Sequence, residues 1–199
     1  MFTGIVEEAG KIIKLSKEQS NLKITVGCGF ISEIKIDQSI AHNGVCLTVI
    51  EINQKENSYS VIAVEETLNK TNLSGLQIND IINLERCVTA NRRLDGHIVQ
   101  GHVDAVALCT HIVDLNGSWN FIFENDGSYK NLVVQKGSVC VNGVSLTVVD
   151  AAPNKFSVAI IPYTYEHTTF CRLKVGDKAT IEFDILGKYA VAYMAGAFT

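Results

Sequence analysis

The sequence NGVCLTV at residues 43–49 returns as NGVSLTV at residues 142–148. Comparing 39–49 (SIAHNGVCLTV) with 138–148 (SVCVNGVSLTV) gives identity at seven of eleven positions. Self-similarity of this kind within one chain indicates an internal repeat, which has to be identified before single elements are assigned. The two copies predict two domains built to one plan.

The repeat extends over most of both halves of the chain. Three further pairs of segments match: NSYSVIAVEET (57–67) with NKFSVAIIPYT (154–164), LQINDIINLE (76–85) with LKVGDKATIE (173–182), and, more weakly, TGIVEEAGKI (3–12) with QGHVDAVALC (100–109). A chain of 199 residues has room for two domains of about 90 to 100 residues each. We therefore predict one domain at 1–96, a second at 97–185 and a C-terminal helix or tail at 186–199, with 89–96 as the connection.

Each half is predicted to consist of strands. Val45, Leu47 and Val49 alternate with other side chains, which is the period of two that a strand with one buried face shows. The Asn–Gly pair before them is typical of a tight turn. Short strands separated by polar turns favour an all-β fold of small closed Greek-key barrels, although periodicity alone does not separate a barrel from a sandwich. Short helices are expected at 67–73 and 164–170.

The composition excludes several classes of function. Hydrophobic residues make up 47% and charged residues 19% of the chain, and the formal net charge is −4, so a basic surface for nucleic acid is not expected. No apolar run approaches 18 residues and the opening MFTGIVEEAG lacks the features of a signal peptide, so we expect no membrane span and a cytoplasmic location. Six widely spaced cysteines, none in a CxxC pair, predict free thiols and no metal site.

Each copy of the repeat offers a polar strand face. Alternate residues of a strand share a face, which places Cys46 with Thr48 and, in the second copy, Ser145 with Thr147. These side chains can donate or accept hydrogen bonds. A solvated outer face is the alternative interpretation, but the recurrence of both threonines favours a binding surface.

The two copies differ where reactive groups would act. Cys46 is replaced by Ser145, and Ile5 is replaced by His102. A thiol is a better nucleophile than a hydroxyl when its pKa is lowered, and a histidine can transfer protons at neutral pH. We therefore predict two small-molecule pockets that bind one kind of ligand and treat it unequally. A reaction between two identical molecules needs such an arrangement.

Several motifs in this order resemble the riboflavin synthase family, almost from one end of the chain to the other. They are MFTGIVEE (1–8), AHNGVCLTV (41–49), DGHIVQGHVD (95–104), VNGVSLTVV (141–149), IPYTYEHTT (161–169) and FDILGKY (183–189). The resemblance implies a transferase that converts two molecules of 6,7-dimethyl-8-ribityllumazine into riboflavin and 5-amino-6-ribitylaminouracil. A four-carbon unit passes from one lumazine to the other, without a metal or organic cofactor.

The resemblance also implies the architecture and the partners. It predicts two tandem six-stranded Greek-key closed barrels and a short C-terminal helix, on which Leu186, Ala190, Tyr193 and Met194 would share one face. Members of the family form homotrimers in which the N-terminal barrel of one subunit faces the C-terminal barrel of its neighbour, and lumazine synthase is a further expected partner. Neither nucleic acid nor a membrane is expected.

The resemblance carries over two sets of pocket residues. The first pocket is expected to contain Gly4, Ile5, Val6, Cys46, Leu47, Thr48, Ile62, Ala63, Val64, Glu65, Glu66 and Thr67. The second is expected to contain Gly101, His102, Val103, Lys136, Ser145, Leu146, Thr147, Ile161, Pro162, Tyr163, Thr164, Tyr165 and Glu166. The positions implicated in catalysis are Cys46, His102, Ser145, Thr147, Ser39, Asp184 and Phe2.

Each of these groups has an expected role. His102 and Ser145 would assist proton transfer at one pocket, while Cys46, Ser39 or a water that they orient would aid nucleophilic addition at the other. The ring of the ligand would be held by the backbone N–H groups of Val6, Thr48, Val103 and Thr147. Lys136 would suit a ring oxygen or the ribityl chain, and the resemblance makes His97 structural.

Other classes of function are weighed against the enzyme. A non-enzymatic lumazine- or flavin-binding antenna protein of the same fold would need one competent pocket and no reactive asymmetry, whereas both copies here keep reactive groups. A flavin-binding reductase domain would need a glycine-rich nicotinamide-binding domain, which the sequence lacks. The enzyme is the prediction that we carry forward.

Overall fold

The computed structural model describes residues 1–127, 129 and 131–196, and the last three residues of the predicted tail lie outside that range. Within the described residues the chain forms twelve strands. In chain order they are β1 (Glu8–Glu18), β2 (Asn21–Gly27), β3 (Ser39–His42), β4 (Val45–Asn53), β5 (Ser58–Ala63), β6 (Ile81–Arg86), β7 (Ala105–Asp114), β8 (Trp119–Glu124), β9 (Ser138–Val141), β10 (Val144–Ala152), β11 (Lys155–Ile160) and β12 (Lys178–Phe183).

The strands close into two antiparallel barrels of six. The first has the order β1-β2-β5-β4-β3-β6 and the second, read from the equivalent strand, β7-β8-β11-β10-β9-β12. The pairing register shifts between Ile12 and Lys14 in β1 and between Cys109 and His111 in β7, so even this irregularity recurs at equivalent positions. The predicted pair of six-stranded barrels is confirmed.

Each barrel encloses its own hydrophobic core. Val45, Leu47 and Val49 point into the first core, while Cys46 is half-buried and Thr48 is exposed. Equivalent residues of β10 alternate in the same way around the second core. The predicted alternation of faces is therefore confirmed, and the polar side chains of β4 and β10 lie outside the barrels.

Short helices connect the strands. The α-helices are α1 (Glu65–Lys70), α2 (Pro162–His167) and α3 (Ile185–Met194), and the 3-10 helices are Ile31–Glu33, Asn72–Gly75 and Thr169–Cys171. The helices predicted at 67–73 and 164–170 begin two residues earlier and continue as 3-10 turns. Proline fits the first turn of α2 because its missing N–H has no partner there.

Helix α3 leaves the second barrel with its apolar side chains uncovered. Leu186, Tyr193 and Met194 are 67%, 72% and 78% exposed. The Asp184 side chain caps the helix by accepting a hydrogen bond from the Leu186 N–H at 3.0 Å, and Lys188 forms an ion pair with Asp104 at 2.6 Å. Among the described residues, no helix is long and apolar enough to cross a membrane.

The two Asn–Gly turns pack against each other between the barrels. The four residues have positive φ angles of 47° at both asparagines, 81° at Gly44 and 79° at Gly143, as the tightest hairpin turns need. A Cβ atom built on Gly143 would lie 2.6 Å from the Gly44 nitrogen, and one on Gly44 would lie 2.9 Å from the Gly143 nitrogen. The repeated motif thus forms a pseudo-two-fold contact between the barrels.

Buried asparagines close this contact with hydrogen bonds. The side-chain oxygen of Asn43 accepts from the Asn83 N–H, and that of Asn142 accepts from the Thr180 N–H, both at 2.9 Å. Across the contact, the Asn83 amide donates to the Asn142 carbonyl at 2.8 Å, and the Thr180 hydroxyl donates to the Asn43 carbonyl. Because all four residues are buried, each unpaired group would carry a desolvation cost.

A buried histidine distinguishes the first core from the second. The His42 side chain is fully buried and its Nε2 lies 2.8 Å from the Tyr59 hydroxyl. Burial lowers the pKa of His42 to about 4. In the second barrel the equivalent positions hold Val141 and Phe156, both buried. The histidine therefore packs as a neutral core residue.

We expect this histidine to make the fold sensitive to acid. Its pKa is lower in the folded than in the unfolded protein, so its contribution is complete above pH 6.5 and decreases as the pH falls towards 4. At about 1.4 kcal/mol per unit, the loss approaches about 3 kcal/mol. Urea unfolding at several pH values should show this loss, and a His42→Val, Tyr59→Phe double variant should lack it. Equal pH dependence in both proteins would contradict the assignment.

Candidate active site

Two segments cross between the barrels. We call residues 2–6 the first arm and the equivalent residues 99–103 the second arm. They pair at one point, where the Phe2 N–H donates to the Val99 carbonyl at 2.7 Å and the Val99 N–H donates back at 3.1 Å. Phe2 is fully buried between the barrels, with Ala41 and Cys140 in the same apolar cluster.

Each arm lies on the barrel of the other half. The Cys46 N–H of the first barrel donates to the Gly101 carbonyl at 3.0 Å, and the Ser145 N–H of the second donates to the Gly4 carbonyl at 2.7 Å. Val103 packs against the first core and Val6 against the second. The expected grouping of the arms, each with its own barrel, is therefore wrong. Periodicity and repetition report relations within a barrel and do not show which barrel an arm contacts.

The first pocket lies where the second arm meets the first barrel. It has a volume of about 260 Å³ and is lined by Val45, Cys46, Glu66, Thr67, Lys70, Thr71, Gly101, His102 and Val103. Gly101 has φ of +80° and no space for a side chain, because a Cβ atom would lie 2.5 Å from the Cys46 Cβ and 2.9 Å from the Phe2 ring. The exposed His102 thus stands opposite Cys46, and not beside Ser145 as expected.

The thiol of Cys46 is not activated as a nucleophile. Burial raises its pKa, and a hydrogen bond with Ser39 acts in the opposite direction without reversing the shift. Since the thiolate is the nucleophilic form, a raised pKa leaves Cys46 as a neutral thiol at pH 7. The thiol and the Ser39 hydroxyl are then suited to exchange hydrogen bonds with a ligand or to hold a water.

The equivalent strand position of the second barrel carries a serine–histidine pair. The Nδ1 atom of His97 lies 2.6 Å from the Ser145 hydroxyl oxygen, and His97 is only 8% exposed. Burial lowers the pKa of His97, while the Asp184 carboxylate acts in the opposite direction. The imidazole is therefore neutral at pH 7 and can accept a proton through Ser145.

The contact between His97 and Ser145 is the feature that the sequence interpretation missed. His97 was expected to be structural, but the structure joins it to the reactive hydroxyl of the second copy. His97 precedes the part of the second half that aligns with the first, so the repeat comparison gave it no counterpart. The motif GHIVQGH (96–102), with two histidines five residues apart, was the sequence feature that could have drawn attention to His97.

Most of the other predicted residues do not line the first pocket. Ile62, Ala63 and Val64 lead from β5 into α1, where Glu66 forms a surface ion pair with Lys70 at 2.9 Å. Thr48 and Thr147 are both exposed on the outer strand faces, and Leu47 and Leu146 belong to the cores.

On the second barrel, Ile161 is the N-cap of α2, and the residues from Pro162 to Glu166 form all but the last residue of this helix. Ile161 and Tyr163 are largely exposed, and the Tyr163 ring stacks on His167 at 4.1 Å. Lys136 is exposed in a turn with φ of 66°, and its backbone N–H donates to the Val148 carbonyl. None of these contacts joins Lys136 to Ser145.

A larger hollow than the first pocket lies elsewhere in the described part of the chain. It has a volume of about 610 Å³ and lies between the barrels, beside Asn43, Asn72, Asn142 and Arg172. The side chains of Asp80 and Asp177, opposite in charge to Arg172, line the same groove. It contains none of the residues predicted to react, so size alone does not identify the site.

Comparison with known proteins gives one family and a set of near relatives. The model of the lumazine binding domain matches residues 3–87 and again residues 100–184. A riboflavin synthase of Actinobacillus pleuropneumoniae is 36% identical, with 98% of this chain and 90% of the relative covered. The riboflavin synthase of Bacillus subtilis is 37% identical, with 98% of this chain and 90% of the relative covered. That of Mycobacterium tuberculosis is also 37% identical, with 99% of this chain and 100% of the relative covered.

Solved structures with a similar fold include lumazine and flavin complexes of LumP. The complex with riboflavin has a TM-score of 0.84 at 20% identity and covers 92% of this chain and 99% of the LumP chain. The complex with 6,7-dimethyl-8-(1'-D-ribityl) lumazine has a TM-score of 0.82 at the same identity, with 92% and 98% covered. At this identity the likeness establishes the fold alone.

Proposed function

The chain belongs to the riboflavin synthase family, with two lumazine binding domains in tandem, and on that premise we propose which of its residues perform the reaction. The reaction converts two molecules of 6,7-dimethyl-8-ribityllumazine into riboflavin and 5-amino-6-ribitylaminouracil. One lumazine donates a four-carbon unit and the other accepts it, so two like pockets must treat their ligands differently.

One observation supports this proposal above the others. At equivalent strand positions the two barrels hold different reactive groups, a neutral thiol near Ser39 and a hydroxyl paired with His97 at 2.6 Å. An antenna protein, the alternative function, would need neither pair. The unequal chemistry of the pockets favours the enzyme.

We assign proton abstraction to the second pocket. A methyl group on C7 of the lumazine must lose a proton, and the resulting anion is delocalised into the ring. His97, neutral at pH 7, can take that proton through the Ser145 hydroxyl, while Asp184 stabilises the charged imidazole that forms.

We assign activation of the other lumazine to the first pocket. Cys46 and Ser39 would hold or hydrogen-bond the group that adds to the ring, and His102 would face them from the second arm. Holding two reactants in register would contribute much of the acceleration, an effect that can supply roughly 7–11 kcal/mol. No metal or organic cofactor enters this proposal.

The assembly and location are also proposals. The exposed apolar side chains of α3 support a homotrimer, in which the first pocket of one subunit would face the second pocket of its neighbour. The six free cysteines support a cytoplasmic location, where thiols stay reduced.

Lumazine synthase is proposed as a partner because it would supply the substrate. We also keep 1–96, 97–185 and 186–199 as the proposed division of the chain.

The direct test supplies the purified protein with the ribityllumazine alone. Riboflavin absorbance should appear in the presence of a chelator and without any added cofactor. Tight binding of the lumazine without formation of riboflavin would support the antenna protein instead.

We expect Cys46→Ala to lower kcat by about tenfold or more, because the pocket loses its proton-donating thiol. Cys46→Ser, which reproduces the second copy, should retain more activity than the alanine variant. Steady-state kinetics would measure both, with Cys171→Ala as the control because Cys171 is exposed and lies outside the pockets. Unchanged turnover in Cys46→Ala would remove the thiol from the mechanism.

A further inference from the structure

Two buried carboxylates hold the crossed arms. Glu182 is 2% exposed and accepts three backbone hydrogen bonds from the second arm: from the N–H groups of Gln100 at 2.6 Å, Gly101 at 2.8 Å and His102 at 2.9 Å. Glu85 occupies the equivalent position of the first barrel and is 4% exposed. It accepts from the Thr3 N–H at 2.7 Å, the Thr3 hydroxyl at 2.8 Å and the Gly4 N–H at 2.9 Å.

Burying a carboxylate is costly unless its oxygens accept several hydrogen bonds. Here the same cost occurs twice, at equivalent positions of β6 and β12. Both carboxylates accept from N–H groups that precede the first strand of a barrel. Hydrogen bonds to a charged acceptor are stronger than those between neutral groups, so each carboxylate fixes its arm firmly.

Because the arms cross, each carboxylate holds an arm that contacts the opposite barrel. Glu182 belongs to the second barrel, yet the arm that it holds supplies Gly101 and His102 to the wall of the first pocket. Glu85 belongs to the first barrel, yet it holds Gly4, whose carbonyl accepts from the Ser145 N–H at 2.7 Å.

We propose that Glu182 and Glu85 are positioning residues, each of which fixes the wall of the pocket in the opposite barrel. The structural part of this inference does not depend on the proposed function; only an effect of these carboxylates on turnover rests on it. The carboxylates themselves contact no reacting atom in this assignment. They act through the arm backbone, Glu182 on the surroundings of Cys46 and Glu85 on those of Ser145.

The test compares Glu182→Gln with Glu85→Gln as matched variants. A glutamine side chain has one acceptor oxygen and a donor NH₂ group, so at least one arm N–H loses its acceptor. Amide hydrogen exchange in Glu182→Gln should become about tenfold faster or more at Gln100, Gly101 and His102, with little change at Thr3 and Gly4. Glu85→Gln should show the reverse pattern.

Alkylation of Cys46 gives a second readout that a general loss of stability would not produce. In Glu182→Gln the loosened arm should expose the thiol, so that iodoacetamide modifies Cys46 several times faster relative to Cys171, as followed by peptide mass spectrometry. Glu85→Gln should leave this ratio unchanged. Bound riboflavin should slow the alkylation of Cys46 in the wild-type protein and slow it less in Glu182→Gln.

The outcomes separate this inference from the proposed function. Hydrogen exchange and alkylation are measured without turnover, so even an inactive protein would test the role of the carboxylates in holding the arms. If riboflavin did not slow the alkylation of Cys46 in the wild-type protein, that result would count against the proposed function. Equal changes at both arms in both variants, or no change in either, would overturn the inference. Should Glu182→Gln not fold, Glu182→Asp retains the charge on a shorter side chain and should show the same pattern more weakly.

Discussion

Replacing His97 by alanine is expected to lower kcat by a hundredfold or more while leaving the fold intact. The imidazole lies 2.6 Å from the Ser145 hydroxyl, and burial lowers its pKa so that it is a neutral base at pH 7. A positioned general base typically contributes a factor of about 10²–10⁴ to the rate. Steady-state kinetics with the ribityllumazine would measure the loss, and circular dichroism would verify folding.

The pH profile gives a further check on His97. In the wild-type protein kcat/KM should fall as the pH decreases through a pKa below 6.5, because protonation removes the base. The alanine variant should lack this acidic limb. His111→Ala is the control, since His111 is exposed on β7 and its ring Nδ1 lies 3.1 Å from the hydroxyl oxygen of its neighbour Thr110. A His97→Ala enzyme with wild-type turnover would exclude the imidazole from proton transfer.

Replacing Gly143 by alanine is expected to destabilise the whole chain, by about 2–5 kcal/mol. A left-handed conformation costs a non-glycine residue about 1–2 kcal/mol, and overpacking adds about 1–3 kcal/mol. Here φ is 79° and the new Cβ would lie 2.6 Å from the Gly44 nitrogen, a backbone atom that cannot rotate away. Calorimetry should show a decrease of Tm of about 10 °C.

The matched control for this variant is Gly75→Ala. Gly75 is exposed at the end of a 3-10 helix, and a Cβ atom there would have no atom within 4 Å. A change within about 0.5 kcal/mol is expected at such a position. If Gly143→Ala were as stable as Gly75→Ala, the two Asn–Gly turns would not form the contact between the barrels.

The repeated heptad allowed the two domains and the strand faces to be predicted, because repetition, a period of two and a tight turn can all be read from the sequence. The second role of the Asn–Gly turn was not accessible in this way. It depends on Gly44 meeting Gly143 across the pseudo-two-fold contact, which is a relation between distant residues.

The candidate site shows the same division. Differences between the copies identified Cys46, Ser145 and His102 as chemically distinct, but not their surroundings. The crossing of the arms places His102 in the pocket of Cys46, and it allows His97 to reach Ser145. The state of the Cys46 thiol depends on burial, which raises its pKa, and burial follows from tertiary packing.

We propose that one chain type carries two unequal reactive sites that make two identical molecules react with each other. The most direct measurement is the mass balance of the complete reaction, by quantitative chromatography of the wild-type protein incubated with 6,7-dimethyl-8-ribityllumazine alone. We predict that two lumazines disappear for each riboflavin and each 5-amino-6-ribitylaminouracil that form. A lumazine that is bound but not consumed, or riboflavin that forms without an equal amount of the uracil, would contradict the account.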